Sequence, residues 1–372
     1  MGLKARIKRG LMVLDRPIVR WQLRVLGDRP GLISLLCHSV FADREDAHCR
    51  DLDPLEDLTL EDYERVFEHF GAAGYQFVSE DQVLAGLDPD GRFVWLTFDD
   101  GYYNNTRILP LLEKLKIPAQ VYVSTDHVLE GKSFWWDALY RARSRQGRTQ
   151  DEIHREAEAL KSKTNRELEA TLVGEFGSGV LTPTSDTDRP MSAQEVRQLA
   201  AHPLIRVGNH TSEHGVLTNY SLPEARRIIE KGESDLRRIL GRPCRTFAYP
   251  NGDYSEQMFE TLQALGYAAA ISCDFRRDSR ASVLAEKSRY RIGRFYLSGG
   301  WDLEAQCQML RAFFSPLLAA RGAGQQARRR ARRSVSDALR GVVTGRTGRL
   351  ARTSGESARA GARRPGDRGA RT

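Results

Sequence analysis

The chain has 372 residues, long enough for one large domain or two smaller ones. Apolar and charged fractions of 40 % and 28 % exclude a fibrous or wholly disordered polymer, and no window approaches the ~18 apolar residues of a membrane span. The net charge of +8 is uneven: residues 321–372 hold 15 Arg, no Lys and 3 acids, a local +12 that leaves −4 for residues 1–320. The basic balance therefore describes a tail and says little about substrate.

In chain order, residues 3–26 set Lys4, Arg6, Lys8, Arg9, Arg16, Arg20 and Arg24 among Leu, Ile, Val and Trp21. Two readings stand: a basic amphipathic surface that lies on anionic membranes, and a helix packed on the domain. The basic start is followed by four apolar residues, Leu11 to Leu14, before Asp15, too few for a secretory signal. Arg6 also stands where a myristoylation signal wants Ser or Thr. Gly31–Cys37 is an apolar run that predicts a buried strand ending at His38. Thr59 with Asp62 reads as a capping box opening a helix to about Ala72. Strands are predicted at 74–79, 93–98 and 118–124, with helices between them, the alternation of parallel βα units.

That rhythm breaks between about 126 and 190, a polar, helix-prone stretch with a capping box at Thr164 and Glu167, read as an insertion. It resumes with a helix capped at Ser192, a strand 204–208 ending just before His210, and a helix capped at Ser221 with Pro223 in its first turn. Strands 244–249, 267–272 and 289–297 and a closing helix 302–319 complete the series. Seven or eight such units imply a closed or nearly closed α/β barrel with its chemistry at the C-terminal strand ends, where His38, Asp99, His210 and Tyr249 all fall. The expected domains are a basic segment 1–30, a barrel 31–320 and a disordered Arg/Gly/Ala-rich tail 321–372. The tail's charge suits phosphate-rich polymers or anionic membranes, but it lacks interleaved aromatics, so specific nucleic-acid recognition is not expected. Five cysteines without a CxxC pair fit a reducing compartment and argue against thiolate zinc.

The chemistry concentrates in Thr97-Phe-Asp-Asp-Gly101 and His210-Thr-Ser-Glu-His214. Two histidines and one carboxylate make a three-ligand set that leaves coordination positions for water and substrate. The glycine permits a sharp turn presenting both acids, and the histidine spacing places both rings on one face if the stretch is helical. Thr211 stands where a zincin carries its glutamate, so the base must come from elsewhere, and Asp99 fits.

These two stretches and Phe247-Ala-Tyr-Pro-Asn-Gly252 resemble, in order, the first three motifs of the polysaccharide deacetylases, carbohydrate esterase family 4, across roughly residues 31–300. The resemblance implies a distorted (β/α)7 barrel with Asp100, His210 and His214 holding a divalent metal, usually zinc. It implies Asp99 as general base and the Tyr249 backbone N–H as an oxyanion donor. The family's third motif carries an arginine that orients the catalytic aspartate, and here Ala248 takes its place. Arg291 or Arg294 would supply that guanidinium. The family's C-terminal acid histidine is also missing, since the last histidine is His214. In a branch with permuted motifs a histidine after the first strand acts as general acid, and His38 matches it; the alternative is a buried structural histidine.

The expected reaction is hydrolysis of an N-acetyl group from an amino sugar of a polysaccharide or glycolipid precursor, releasing acetate. Two alternatives stay open: a metal-dependent amidohydrolase of a non-sugar amide, and a catalytically weak carbohydrate-binding or scaffold protein. Trp135, Trp136 and Trp301 are read equally as sugar platforms or packing residues. The expected setting is the cytoplasm or the inner face of the membrane.

Overall fold

A computed structural model describes residues 15–48, 52–53, 57–299 and 302–327. Eight parallel strands form one sheet: β1 (Gly31–Cys37), β2 (Gln76–Phe77), β3 (Arg92–Phe98), β4 (Ala119–Val123), β5 (Ile205–Asn209), β6 (Thr246–Ala248), β7 (Ala269–Ile271) and β8 (Phe295–Tyr296). Around the curl the order is β7-β6-β5-β4-β3-β1-β8, with β2 paired beside β3 off that path. A parallel bridge from Ile271 to Ile292, just before β8, links the two ends. The result is a distorted (β/α)7 barrel. β1 is buried at every position and β3 at all but Arg92, as strands covered on both faces must be. The strand predicted at 74–79 contracts to β2 because β2 and β4 share one edge of β3, against residues 93–94 and 96–98 respectively.

The helices are α1 (15–25), α2 (Arg44–Ala47), α3 (Leu60–Ala72), α4 (Glu80–Ala85), α5 (Leu109–Leu115), α6 (Thr125–Glu130), α7 (Trp135–Arg145), α8 (Gln150–Leu160), α9 (Asn165–Phe176), α10 (Ala193–Ala200), α11 (Leu222–Leu240), α12 (Gln257–Ala264), α13 (Arg280–Leu284), α14 (Leu303–Arg311) and α15 (316–327). The expected capping boxes form at Thr59, Thr164, Ser192 and Ser221. Each reciprocally satisfies N–H groups that a helix start would otherwise leave unpaired. Within the insertion Lys161–Lys163 separate α8 from α9, and Thr149 and Thr164 each cap a new start. Helices α7–α9 bury their own cluster of Trp135, Leu139, Ile153, Leu168 and Leu172, so the insertion is a small helical layer with a private core.

Met1–Ala327 form one compact unit. The basic segment is therefore not separate: α1 buries Val19 against Met309, Ala312 and Leu317. The closing helix ends at Arg311, and after a turn α15 runs to Ala327, so residues 321–327 are helical where a disordered tail was expected. The rest of that tail, residues 328–372, lies outside the described residues. No described helix is long and apolar enough to cross a membrane.

Candidate active site

The register of β1 against β3 pairs Cys37 with Phe98, so His38 and Asp99 both leave the sheet at the same end. The Asp99 N–H donates to the Cys37 carbonyl at 2.9 Å, continuing the ladder one step. The chain then turns sharply through two left-handed residues, Asp100 (φ 77°) and Gly101 (φ 84°). A Cβ at Gly101 would meet Val123 of β4 at 3.3 Å, so that strand also constrains the turn. A non-glycine residue at positive φ costs of order 1–3 kcal/mol, which the surroundings must offset.

The histidine stretch is not helical. Thr211 (φ 68°) and His214 (φ 53°) are left-handed, and loop geometry brings the rings together, with centroids 4.8 Å apart. Asn209 organises this loop: its Oδ1 accepts from the Thr211 N–H at 2.7 Å, and its Nδ2 donates to the Ile229 carbonyl of α11 at 3.0 Å. Gly232 of α11 lets the loop approach, since a Cβ there would lie 2.6 Å from Asn209 Oδ1 and 2.8 Å from the Thr211 carbonyl carbon.

Asp100 Oδ1 lies 3.4 Å from His210 Nε2 and 3.2 Å from His214 Nε2. The three residues each offer one ligand atom, all within 4.8 Å of one another, a set able to hold a metal ion. Asp100 Oδ1 is buried without a hydrogen bond, a costly arrangement unless a cation completes it. His210 Nδ1 is 2.9 Å from the Ala248 carbonyl, so a proton there leaves Nε2 free to ligate. Burial, then the neighbouring His210, hold the His214 imidazole well below its ordinary value and hence neutral, the form a metal binds. The residues fit a divalent cation.

Asp99 is built differently. Arg294, 1 % exposed, donates from Nη1 to Oδ1 and from Nη2 to Oδ2, both at 2.7 Å. Arg294 is held in turn by the Ser272 carbonyl at 3.0 Å from Nε and by Thr97 Oγ1 at 3.1 Å from Nη1. Burial pushes the Asp99 carboxyl up, but Arg294 and His210 outweigh it and leave the group below its ordinary value. Arg291 does not reach this carboxylate: its carbonyl accepts from Arg276, and its Nε is buried without a partner. Of the two candidate arginines, the structure brings Arg294 to Asp99.

Tyr249 corrects the sequence reading. Its N–H donates to the Ile271 carbonyl at 3.1 Å, extending the β6–β7 ladder one residue, and is not free for an oxyanion. Its ring is buried in the core and its hydroxyl donates to the Tyr290 carbonyl at 3.0 Å. Two residues on, Asn251 is left-handed (φ 61°) with a buried, unpaired Nδ2, a conformation that only a known ladder end would have revealed. His38 is half-buried, and its charge bears on both Asp99 and His214.

The insertion contributes one wall. Trp136 of α7 meets the His214 ring at 4.6 Å, and its Nε1 donates to the Tyr102 hydroxyl at 3.0 Å. Tyr102 donates to Asp137 at 2.6 Å, completing a hydrogen-bonded chain from Trp136. Trp135 is packing, buried in the insertion core, and Trp301 lies outside the described residues.

A profile described as polysaccharide deacetylase matches residues 86–270, a span holding Asp99, Asp100, His210, His214 and Tyr249 but neither His38 nor Arg294. Among solved structures, a polysaccharide deacetylase from Bacillus cereus superposes with a TM-score of 0.51 at 14 % identity, over 76 % of this chain and 70 % of that one. The Streptococcus pyogenes deacetylase PplD, solved in complex with acetate, gives 0.50 at 16 % identity, over 76 % and 99 %. At such identities the likeness concerns the fold. No curated protein matches the sequence.

Proposed function

Because the chain belongs to the polysaccharide deacetylase family and is a hydrolase of N-acetyl amide bonds, we propose that it removes acetyl groups from amino sugars with the help of a divalent metal. The observation that carries this is the pairing of Asp100, His210 and His214 with an adjacent carboxylate clamped by Arg294. Two imidazoles and one carboxylate suit zinc. When bound, the cation supplies Lewis acidity to the acyl carbonyl and makes a water easier to deprotonate.

The chain's own groups do the rest. Asp99, kept ionised by Arg294, takes the proton of the attacking water. Arg294 fixes the carboxylate in one plane through two parallel bonds, so the base meets the water without reorganising. As the C–N bond breaks, His38 gives a proton to the leaving nitrogen, yielding acetate and a free amino sugar. Support for His38 comes from its place at the strand end beside Asp99.

The substrate we favour is a lipid-linked precursor of a surface glycan, met at the inner face of the membrane. The cytoplasmic reading draws support from Cys37, Cys244, Cys273 and Cys307, which stand as thiols and not in disulfides. The test is metal analysis of the purified protein together with acetate release from N-acetylglucosamine oligomers. Wild type should carry about one equivalent of metal and release acetate. Asp99→Asn should keep the metal and lose turnover by at least ~10³-fold, as loss of a catalytic base does. A variant that deacetylates at the wild-type rate would refute the assignment.

A further inference from the structure

The largest group of exposed apolar side chains among the described residues lies far from the catalytic groups. On α1, Ile18, Trp21 and Val25 share one face at helical spacing, and Trp21 and Val25 are 59 % and 60 % exposed. Phe313 and Phe314, 42 % and 56 % exposed, join them from the turn after α14. The two segments are stitched together: Gln22 Nε2 donates to the Phe314 carbonyl at 2.8 Å, and the Phe314 N–H donates to Gln22 Oε1 at 2.9 Å. Ser315 Oγ donates to Asp15 at 2.7 Å. Chain segments fixed this firmly would ordinarily turn their aromatic rings inward, and a contiguous exposed apolar patch marks an interaction surface.

Charge decides what covers it. Arg20, Arg24 and Arg29 are exposed around the patch. Residues 1–30 carry 8 basic and 2 acidic side chains, whereas residues 31–320 are net −10. Residues 1–14, which join the chain at Asp15, carry Lys4, Arg6, Lys8 and Arg9 and no acid. Exposed arginines thus flank the exposed Trp and Phe side chains of the described residues. A second copy of the chain would bring the same arginines face to face. A specific protein partner needs no such concentration of Trp, Phe and Arg on a helix lying flat. Trp and Phe sit well at the level of lipid headgroups, and arginine pairs with their phosphates.

We propose that the face made by α1 and the Phe313–Phe314 turn docks the protein on an anionic phospholipid bilayer, with Trp21, Phe313 and Phe314 inserted among headgroups and the arginines on lipid phosphates. This deepens the membrane-side reading above but does not depend on the deacetylase chemistry. Gly31 opens β1 at the end of the strand opposite His38, so docking leaves the catalytic end of the barrel uncovered.

The test is co-sedimentation of the full-length protein with vesicles of phosphatidylcholine alone and of phosphatidylcholine with one quarter phosphatidylglycerol. Acetate release from a soluble oligomer is measured on the same samples. Wild type should sediment with the anionic vesicles only, and more weakly in high salt. Trp21→Glu with Phe314→Glu should lower the partition coefficient at least about tenfold, since two inserted rings become charges while every arginine remains. The variant's melting temperature and its activity on the soluble oligomer should stay at wild-type values, which shows that the fold and the catalytic end are intact. A single Arg24→Ala should reduce binding about two- to fivefold as a headgroup contact. The proposal is overturned if wild type ignores anionic vesicles or if the double variant binds as well as wild type, binding then being the work of the termini alone. It is also overturned if wild type is a dimer that Trp21→Glu makes monomeric without any lipid binding. Loss of acetate release with docking intact would strike the hydrolase reading instead.

Discussion

At Asp99 a carboxylate must be both buried and charged, and the bidentate Arg294 is what reconciles the two. Removing one partner of a buried ion pair leaves the other uncompensated, at a cost of roughly 3–5 kcal/mol. Arg294→Met should therefore lower the unfolding free energy by about that much in a denaturant melt. The double variant Asp99→Asn/Arg294→Met should recover much of the loss, and purely additive effects would mean that the pair is not coupled. Arg294→Lys should keep the metal but lose kcat, because an ammonium cannot offer two parallel N–H bonds to one carboxylate. At this scale the acids and histidines were legible from their spacing. Arg294 was legible only as one of two candidates, because Ala248 removed the usual source and sequence cannot say which of two arginines reaches back across the barrel. Tyr249 was misread because its N–H is engaged or free according to where a ladder ends, which its neighbours in the chain do not reveal.

Among the elements, α11 serves the site without touching the chemistry. Gly232→Ala would push a methyl into Asn209 and the Thr211 backbone. It should cost about 1–3 kcal/mol and weaken metal affinity measured by calorimetry, while α11 keeps its helicity. The insertion gives a pH prediction. His154 of α8 lies 2.8 Å from an Asp53 oxygen, and the Asp53 N–H donates to Asp137 beside Trp136. The hydrogen bond to Asp53 raises the His154 pKa against opposition from burial, with Lys161 opposing and Asp151 aiding more weakly. A raised histidine pKa means the stabilisation is full below the unfolded value of about 6.5 and is lost as pH climbs through the folded value. The gap in melting temperature between wild type and His154→Gln should accordingly be widest below about pH 6.5 and shrink as the pH rises above it. A gap that grew with pH would contradict this pairing. The capping boxes were readable because each is local, four residues long and self-sufficient. The shape of His210–His214 was not, because its left-handed residues are imposed by α11, which follows it in the chain.

Across the whole molecule the charge is sorted by region, and that sorting can be measured. A chain ending at Ala327 carries −3 in place of +8. It should move from cation- to anion-exchange retention at neutral pH while keeping its melting temperature, since Met1–Ala327 form one compact unit. A fallen melting temperature would mean that residues beyond 327 hold the barrel together. The barrel itself was legible because alternating strands and helices admit few arrangements. Its closure was harder to see, since β7 and β8 are only three and two residues long. That late closure has a bearing on how the protein is made. Asp99 leaves the ribosome nearly two hundred residues before Arg294, and until the arginine arrives the acid lacks its bidentate partner in the core. The Asp99–Arg294 pair can therefore form only when β8, the last strand, is being made.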